Sequence, residues 1–122
     1  MAIVAFHFSG VYKDKLLSGK KTASVMPGTH LYEVGSQVLV YLSDTPNLFD
    51  KGAKETRIGE ATIVTCRQCK LKDLMKEEAM NCGYLSSEEL IREMKIWYPL
   101  MKNVDDVTYV RFSLKSVEIT NN

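Results

Sequence analysis

The sequence has little of most features that would mark a specialised class. Of 122 residues only 3 are Pro and 7 are Gly, which excludes collagen-like repeats and low-complexity disorder. Long apolar runs are missing as well. Thr22 to Tyr32 is free of charged residues for eleven positions but contains Pro27 and Gly28, well short of the ~18 apolar residues of a membrane-spanning helix. No excess of one charge exists either: 16 Lys+Arg stand against 15 Asp+Glu, a formal net charge of +1. That balance excludes a generic polycation that coats nucleic acid or membrane, so any basic site must be local. Met1 to Phe8 has no basic n-region and too short an apolar run for a signal peptide. The 3 Cys are an odd number and suggest a reducing, cytoplasmic location and no disulfide framework. Neither a cofactor nor a membrane partner is expected, and a monomer is favoured.

What is present fits one globular domain over residues 1–122, with 45% hydrophobic and 25% charged residues. A chain of this size buries roughly two thirds of its unfolded surface and can hold a core without staples. Alternation predicts a strand over residues 3–8, ended by Ser9-Gly10. Helical spacing of Val11, Tyr12 and Leu16 predicts a short helix over 11–18, stopped by Gly19. Short strands follow over 22–25 and 38–42, separated by the Pro27-Gly28 turn, then a long loop from Ser43 to Glu55. Thr56 to Cys69, rich in Ile, Val and Thr, predicts a long strand bent at Gly59. Two helices are expected next, one over Leu71 to Asn81 ending near Gly83. The other opens on Ser86-Ser87-Glu88-Glu89, a capping box, carries Leu90, Met94 and Trp97 on one face, and stops before Pro99. A last strand, Val107 to Ile119, switches parity from Val110, Phe112 and Leu114 to Val117 and Ile119, which implies a bulge or bend of the kind a barrel requires.

The most informative segment is Leu16-Leu17-Ser18-Gly19-Lys20-Lys21-Thr22-Ala23-Ser24-Val25. Thr22 and Ser24 alternate onto one side of a strand, and from Lys13 to Lys21 four lysines oppose only Asp14. This corner suits a phosphate or a polar base edge, contacted by Lys15, Lys20, Lys21, Thr22 and Ser24. A solvated helix end, with lysines near its C-terminal carbonyls, accounts for the same spacing. Cys66-Arg67-Gln68-Cys69 has the spacing of half a zinc site, but on a strand the two sulfurs point to opposite faces and no fourth ligand is evident. Buried free thiols are the expectation, with no metal. His7 shares a face with Ile3 and Ala5 and is expected to be a hydrogen-bonded structural residue, while the sequence leaves open whether His30 reaches the lysine segment. Among Tyr84, Trp97, Tyr98 and Tyr109, Tyr84 beside Gly83 is the best placed to stack on a base. Arg67 and Arg111 sit among apolar strand residues and suit either snorkelling or phosphate contact.

Taken in order, Leu-Leu-x-Gly-Lys-Lys-Thr-x-Ser at 16–24, Tyr32-Glu33-Val34-Gly35 before an apolar strand, Trp97-Tyr98-Pro99, and Asp106-Val107-x-Tyr109-Val110-x-Phe112 resemble the ASCH domain of the PUA-like superfamily. The resemblance runs over nearly the whole chain. It implies an α+β fold, a small five- to six-stranded β-barrel with two or three flanking helices, and a cleft over Lys20 to Ser24 that binds RNA or a modified nucleoside. Some members of the superfamily resemble amidohydrolases that deacetylate acetylcytidine with a Lys, a Thr and a Glu. On this chain the Lys falls on Lys21 and the Thr on Ser24, a pair able to work as the Ser-Lys hydrolases do. The acid falls on Gly83, with Glu77 and Glu78 the nearest carboxylates, and Met26 stands where the family commonly has Arg. A nucleic-acid or nucleotide binder is therefore the leading expectation. A small amidohydrolase and a protein-interaction adaptor are the alternatives.

Overall fold

The computed structural model describes residues 5–44 and 54–116. The described residues fold into a five-stranded curled sheet, a half-barrel, with three α-helices on its side. The strands are β1 (Ala5–Phe8), β2 (Ala23–Pro27), β3 (Gln37–Ser43), β4 (Glu55–Lys70) and β5 (Asp106–Ser116), in the order β1-β3-β4-β5-β2. Only the β1–β3 pair is parallel; the rest are antiparallel. Edge strand β2 ends at Pro27, a residue that an edge tolerates because no ladder bond is lost.

β4 is the spine, pairing with β3 along its first half and with β5 along most of its length. It carries two extra residues: Ile58, between the partners of Val40 and Tyr41, and Val64, between the partners of Phe112 and Arg111. Each such bulge bends and twists a strand, so the sheet curls where the sequence indicated a bend, beside Gly59. The parity switch expected at Val117 and Ile119 lies outside the described residues, as does most of the long loop after Ser43.

Side-chain alternation along β5 sorts the interior into two layers. Val110 and Phe112 join Phe6, Phe8, Val40 and Ile63 inside the curl, while Val107 and Tyr109 join Ala23, Val25, Leu71 and Leu90 beneath the helices. A fully buried Phe or Leu contributes about 1.5–3 kcal/mol. The two cysteines of the C-x-x-C divide in the same way, with Cys66 against the inner cluster and Cys69 against the helical one. No group of three or more His, Cys, Asp or Glu among the described residues is placed to hold a metal ion.

Helix α1 (Lys13–Leu17) follows a 3-10 turn at Gly10–Tyr12, and Gly19, with φ +80°, ends it as expected. The helix expected over 71–81 is broken in two. Leu71–Asp73 form a 3-10 turn, Leu74 and Met75 are extended, and α2 covers only Lys76–Asn81. The break is held by Glu78, whose carboxylate accepts the Met75 N–H at 2.9 Å. Helix α3 (Ser87–Trp97) begins on its Ser86 cap, which accepts the Glu89 N–H at 3.1 Å, while Glu89 reaches back one residue further than expected, to Leu85 N–H. Among the described residues no helix is long and apolar enough to cross a membrane.

Candidate functional site

The two edge strands leave a seam, and a cleft of about 130 Å³ opens there. β1 contributes His7 and Phe8, β2 contributes Ser24, Val25 and Met26, and α3 covers it with Leu90, Glu93, Met94 and Trp97. Tyr12, Lys21, Cys82, Tyr84 and Tyr98 complete the lining.

Lys21 owes its place to the chain on both sides of it. After Gly19 turns the backbone, Lys21 N–H bonds to Lys15 carbonyl at 2.9 Å, and Thr22 N–H to Asn81 carbonyl at 2.7 Å. The side chain is thereby directed inward and is only 5% exposed. Its Nζ donates to the Cys82 carbonyl at 3.2 Å and lies 4.8 Å from the Tyr12 ring centroid and 5.6 Å from that of Phe8. Burial pushes its pKa below the ordinary lysine value, because an ammonium is poorly solvated there. Among the described residues it has no ion pair.

Above it, Tyr12 and Tyr84 share a hydroxyl–hydroxyl bond of 3.0 Å. Burial, together with that bond, raises the Tyr84 pKa well above the ordinary range, so the phenol stays protonated. Lys15 donates to the Gly83 carbonyl at 2.9 Å, with its Nζ 5.3 Å from the Tyr84 ring centroid. Gly83 has φ +94°, and a Cβ there would come within 3.1 Å of Lys15 Cδ. The position where the resemblance puts an acid therefore carries a lysine stem against it.

The residues singled out from sequence are distributed unevenly. Lys21, Ser24 and Tyr84 meet in the cleft. Lys20 is exposed outside it, and Thr22 lines a separate groove with Leu17, Val64 and Arg111. Arg67 is committed elsewhere: its guanidinium grips Glu78 with bonds of 2.7 and 2.5 Å and reaches the Asp73 carbonyl at 3.3 Å. Glu78 is buried in that pair and Glu77 is exposed, so neither carboxylate lines the cleft. Met26 accepts a hydrogen bond from Tyr32 hydroxyl at 3.3 Å. His30 donates to Pro27 carbonyl at 2.8 Å and is not part of the lining.

Three cleft residues escaped the sequence reading. Glu93 is the one carboxylate in the lining among the described residues; its Oε1 accepts from Trp97 Nε1–H at 3.2 Å. It lies between Leu90 and Met94, at the edge of the buried stripe, where a helical wheel does not separate a rim residue from a solvated one. Tyr12 appeared as an apolar helix position. His7 was expected to be structural and does bond to a carboxylate, Glu55, at 2.8 Å, and stacks on Tyr41, while the residue also borders the cleft.

No family model matches the chain, and no curated protein does. Solved structures do. An ASCH domain from Lactobacillus crispatus superposes with a TM-score of 0.65 at 15% identity, covering 95% of this chain and 81% of that one. A DUF984 protein from Enterococcus faecalis gives 0.68 at 14% identity, with 95% and 77% covered. The ASCH protein of Zymomonas mobilis gives 0.62 at 15%, with 94% and 72% covered.

Proposed function

This chain has the fold of an ASCH domain, and we propose that its cleft binds a single nucleobase, presented by RNA or by a modified nucleoside, with Lys21 at the floor. The observation that carries this reading is the buried Lys21 ammonium, which has a carbonyl and two aromatic faces for company but, among the described residues, no carboxylate paired with it. Burying an ammonium without a counter-charge costs stability. An ammonium has three N–H donors, and one bond to Cys82 leaves donors for a ligand acceptor. Aromatic faces attract the charge without neutralising it.

The walls suit the rest of a base. Tyr12, Tyr84, Trp97 and Tyr98 offer ring surface, and stacking on such rings is worth about 1–3 kcal/mol per base. A cavity of about 150 Å³ holds one benzene ring, so the volume here fits a pyrimidine better than a purine. Trp97, the one tryptophan in the chain, makes the test direct. Cytidine, uridine or a short RNA should quench its fluorescence saturably, and Lys21→Ala should abolish that response. Unchanged affinity in Lys21→Ala, or no response to any of these ligands, would overturn the reading.

A second reading, a small amidohydrolase, is favoured by the shared location of Lys21, Ser24 and Glu93. A lysine with a lowered pKa holds some neutral amine, which takes the Ser24 Oγ proton as the oxygen attacks an amide carbonyl. The C–N bond then breaks, the amine leaves with that proton, and water releases the acid from the acyl-serine. Acetate release from acetylcytidine that disappears in Ser24→Ala would make the protein an enzyme. Its absence in the parent protein leaves the cleft a binding site.

A further inference from the structure

We infer that the uncovered edge of β5, beside helix α1, is a docking groove for an extended acidic peptide, which adds to the sheet as one more strand. It is a different opening of the fold from the cleft, although Lys21 borders both. β2 pairs with β5 only from Pro27 opposite Val107 to Ala23 opposite Arg111, while β5 runs on to Ser116. There the chain that leads into β2 diverges from the sheet. Thr22 carbonyl still accepts the Phe112 N–H at 2.9 Å, but Thr22 N–H goes to the Asn81 carbonyl at 2.7 Å and Lys21 N–H to the Lys15 carbonyl at 2.9 Å. Among the described residues no strand pairs with β5 on that side past Phe112. Backbone groups alternate in direction along a strand, so the Leu114 N–H and C=O point the same way as the Phe112 N–H, out of the uncovered edge. An added antiparallel strand meets such a donor and acceptor with a single residue of its own.

A groove of about 480 Å³ lies along this edge. Its apolar wall is Leu16, Leu17, Val64 and Leu114, of which Leu17 and Val64 are 48% and 43% exposed. Arg111, Ser113 and Thr22 supply polar groups, and among the described residues no acidic side chain lines it. Arg111 is exposed and makes no hydrogen bond or ion pair among the described residues. Lys115 is exposed on the same face of β5, and Glu60, opposite it on β4, is held by Arg57 at 2.6 Å. Alternation also sets the sequence that fits. A residue opposite Leu114 shares its face and turns its side chain to the apolar side, where Leu114 packs against the cluster that contains Leu16. The residues before and after it turn to the face of Arg111, Ser113 and Lys115, where acids are favoured and lysines opposed. The pattern is therefore acid, apolar, acid. An RNA strand fits less well: it needs ring surface for stacking, and the aromatic in the lining, Phe112, is 2% exposed.

The probe is the heptapeptide acetyl-Ser-Glu-Val-Glu-Val-Glu-Ser-amide, titrated into the whole protein and followed by amide NMR and hydrogen exchange. At up to about 1 mM it should shift the Leu114 amide saturably and slow its exchange about tenfold. Methylating the two valine nitrogens should weaken binding about tenfold, because the strand bonds are lost while charge and side chains stay. Arg111→Glu should weaken the acidic peptide about tenfold and bind its counterpart with Lys for Glu more tightly than the parent does. Absence of a Leu114 shift with the acidic peptide, binding that survives N-methylation, or binding indifferent to Arg111→Glu would overturn the inference. Tetrauridylate that shifts the Leu114 amide more than the peptide does at equal concentration would make the groove a nucleic-acid site and overturn it as well. None of these outcomes moves the base-binding test, since Trp97 lines the cleft and not this groove.

Discussion

Two charged side chains are buried to the same extent, Lys21 and Glu78, each 5% exposed, and the structure treats them in opposite ways. Glu78 is fully employed. Its oxygens take the Arg67 fork and the Met75 N–H, which fixes where α2 starts and ties β4 to the helical layer. Lys21 has a single carbonyl bond and two rings, and it faces a cleft instead of a partner. A buried charge that is paired on every side explains a fold. One that is left half-satisfied in a cavity points to something outside the chain.

That contrast makes predictions of opposite sign. The largest effect is expected from Lys21→Met: base affinity should fall about a hundredfold, roughly 2.7 kcal/mol, while urea unfolding shows stability unchanged or raised, because an apolar side chain of similar length removes a buried charge. Loss of stability with ligand affinity retained would reverse the comparison. Arg67→Ala should do the opposite, leaving Glu78 buried without its partner. Arg67 is 35% exposed, so the cost is below that of a fully buried pair, about 2 kcal/mol by urea unfolding, with ligand affinity at Lys21 preserved. Third comes Gly83→Glu, which restores an acid at the turn. The positive φ and the contact with Lys15 should destabilise the fold by about 1–2 kcal/mol, measurable as a lower unfolding midpoint.

The same pair shows what could and could not be read along the chain. Local signals survived folding: Gly19 ends α1, Ser86 caps α3, and the alternation of β5 separates the two core layers. The four motifs in order were enough to indicate the ASCH fold. The break in the helix over 71–81 was not legible, since the Glu78 carboxylate that accepts the Met75 N–H is itself gripped by Arg67, distant along the chain on β4. The cleft was legible in part. Lys21, Ser24 and Tyr84 carry recognisable neighbours, whereas His7 and Glu93 reach it only because edge strand β1 comes to face β2 and α3 closes over the seam. No periodicity in a single segment contains that three-way meeting, and Lys20, singled out by the same spacing as Lys21, is exposed outside the cleft lining.

The smallest expected effect concerns pH and isolates Lys21 most cleanly. Its pKa in the folded protein is lowered, chiefly by burial, while in the unfolded chain it returns to about 10.5. Between those two values the unfolded chain binds a proton that the folded chain does not, so stability rises with pH across that interval. The cost of burying the Lys21 charge is thus present in full below its folded pKa and is gone above the unfolded one. Tyr84, Tyr98 and Tyr109, raised mainly by burial, act in the opposite sense above about pH 10, where the unfolded chain releases protons that the folded chain keeps. Their contribution would obscure the lysine in the parent alone. It is shared by Lys21→Met and cancels in the difference. Urea unfolding of both proteins from neutral pH to about pH 10 should therefore show the parent less stable than the variant at neutral pH, with the gap closing as pH rises. A gap that stays constant would mean that Lys21 keeps an ordinary lysine pKa, and the contrast between the two buried charges would then lose its electrostatic basis.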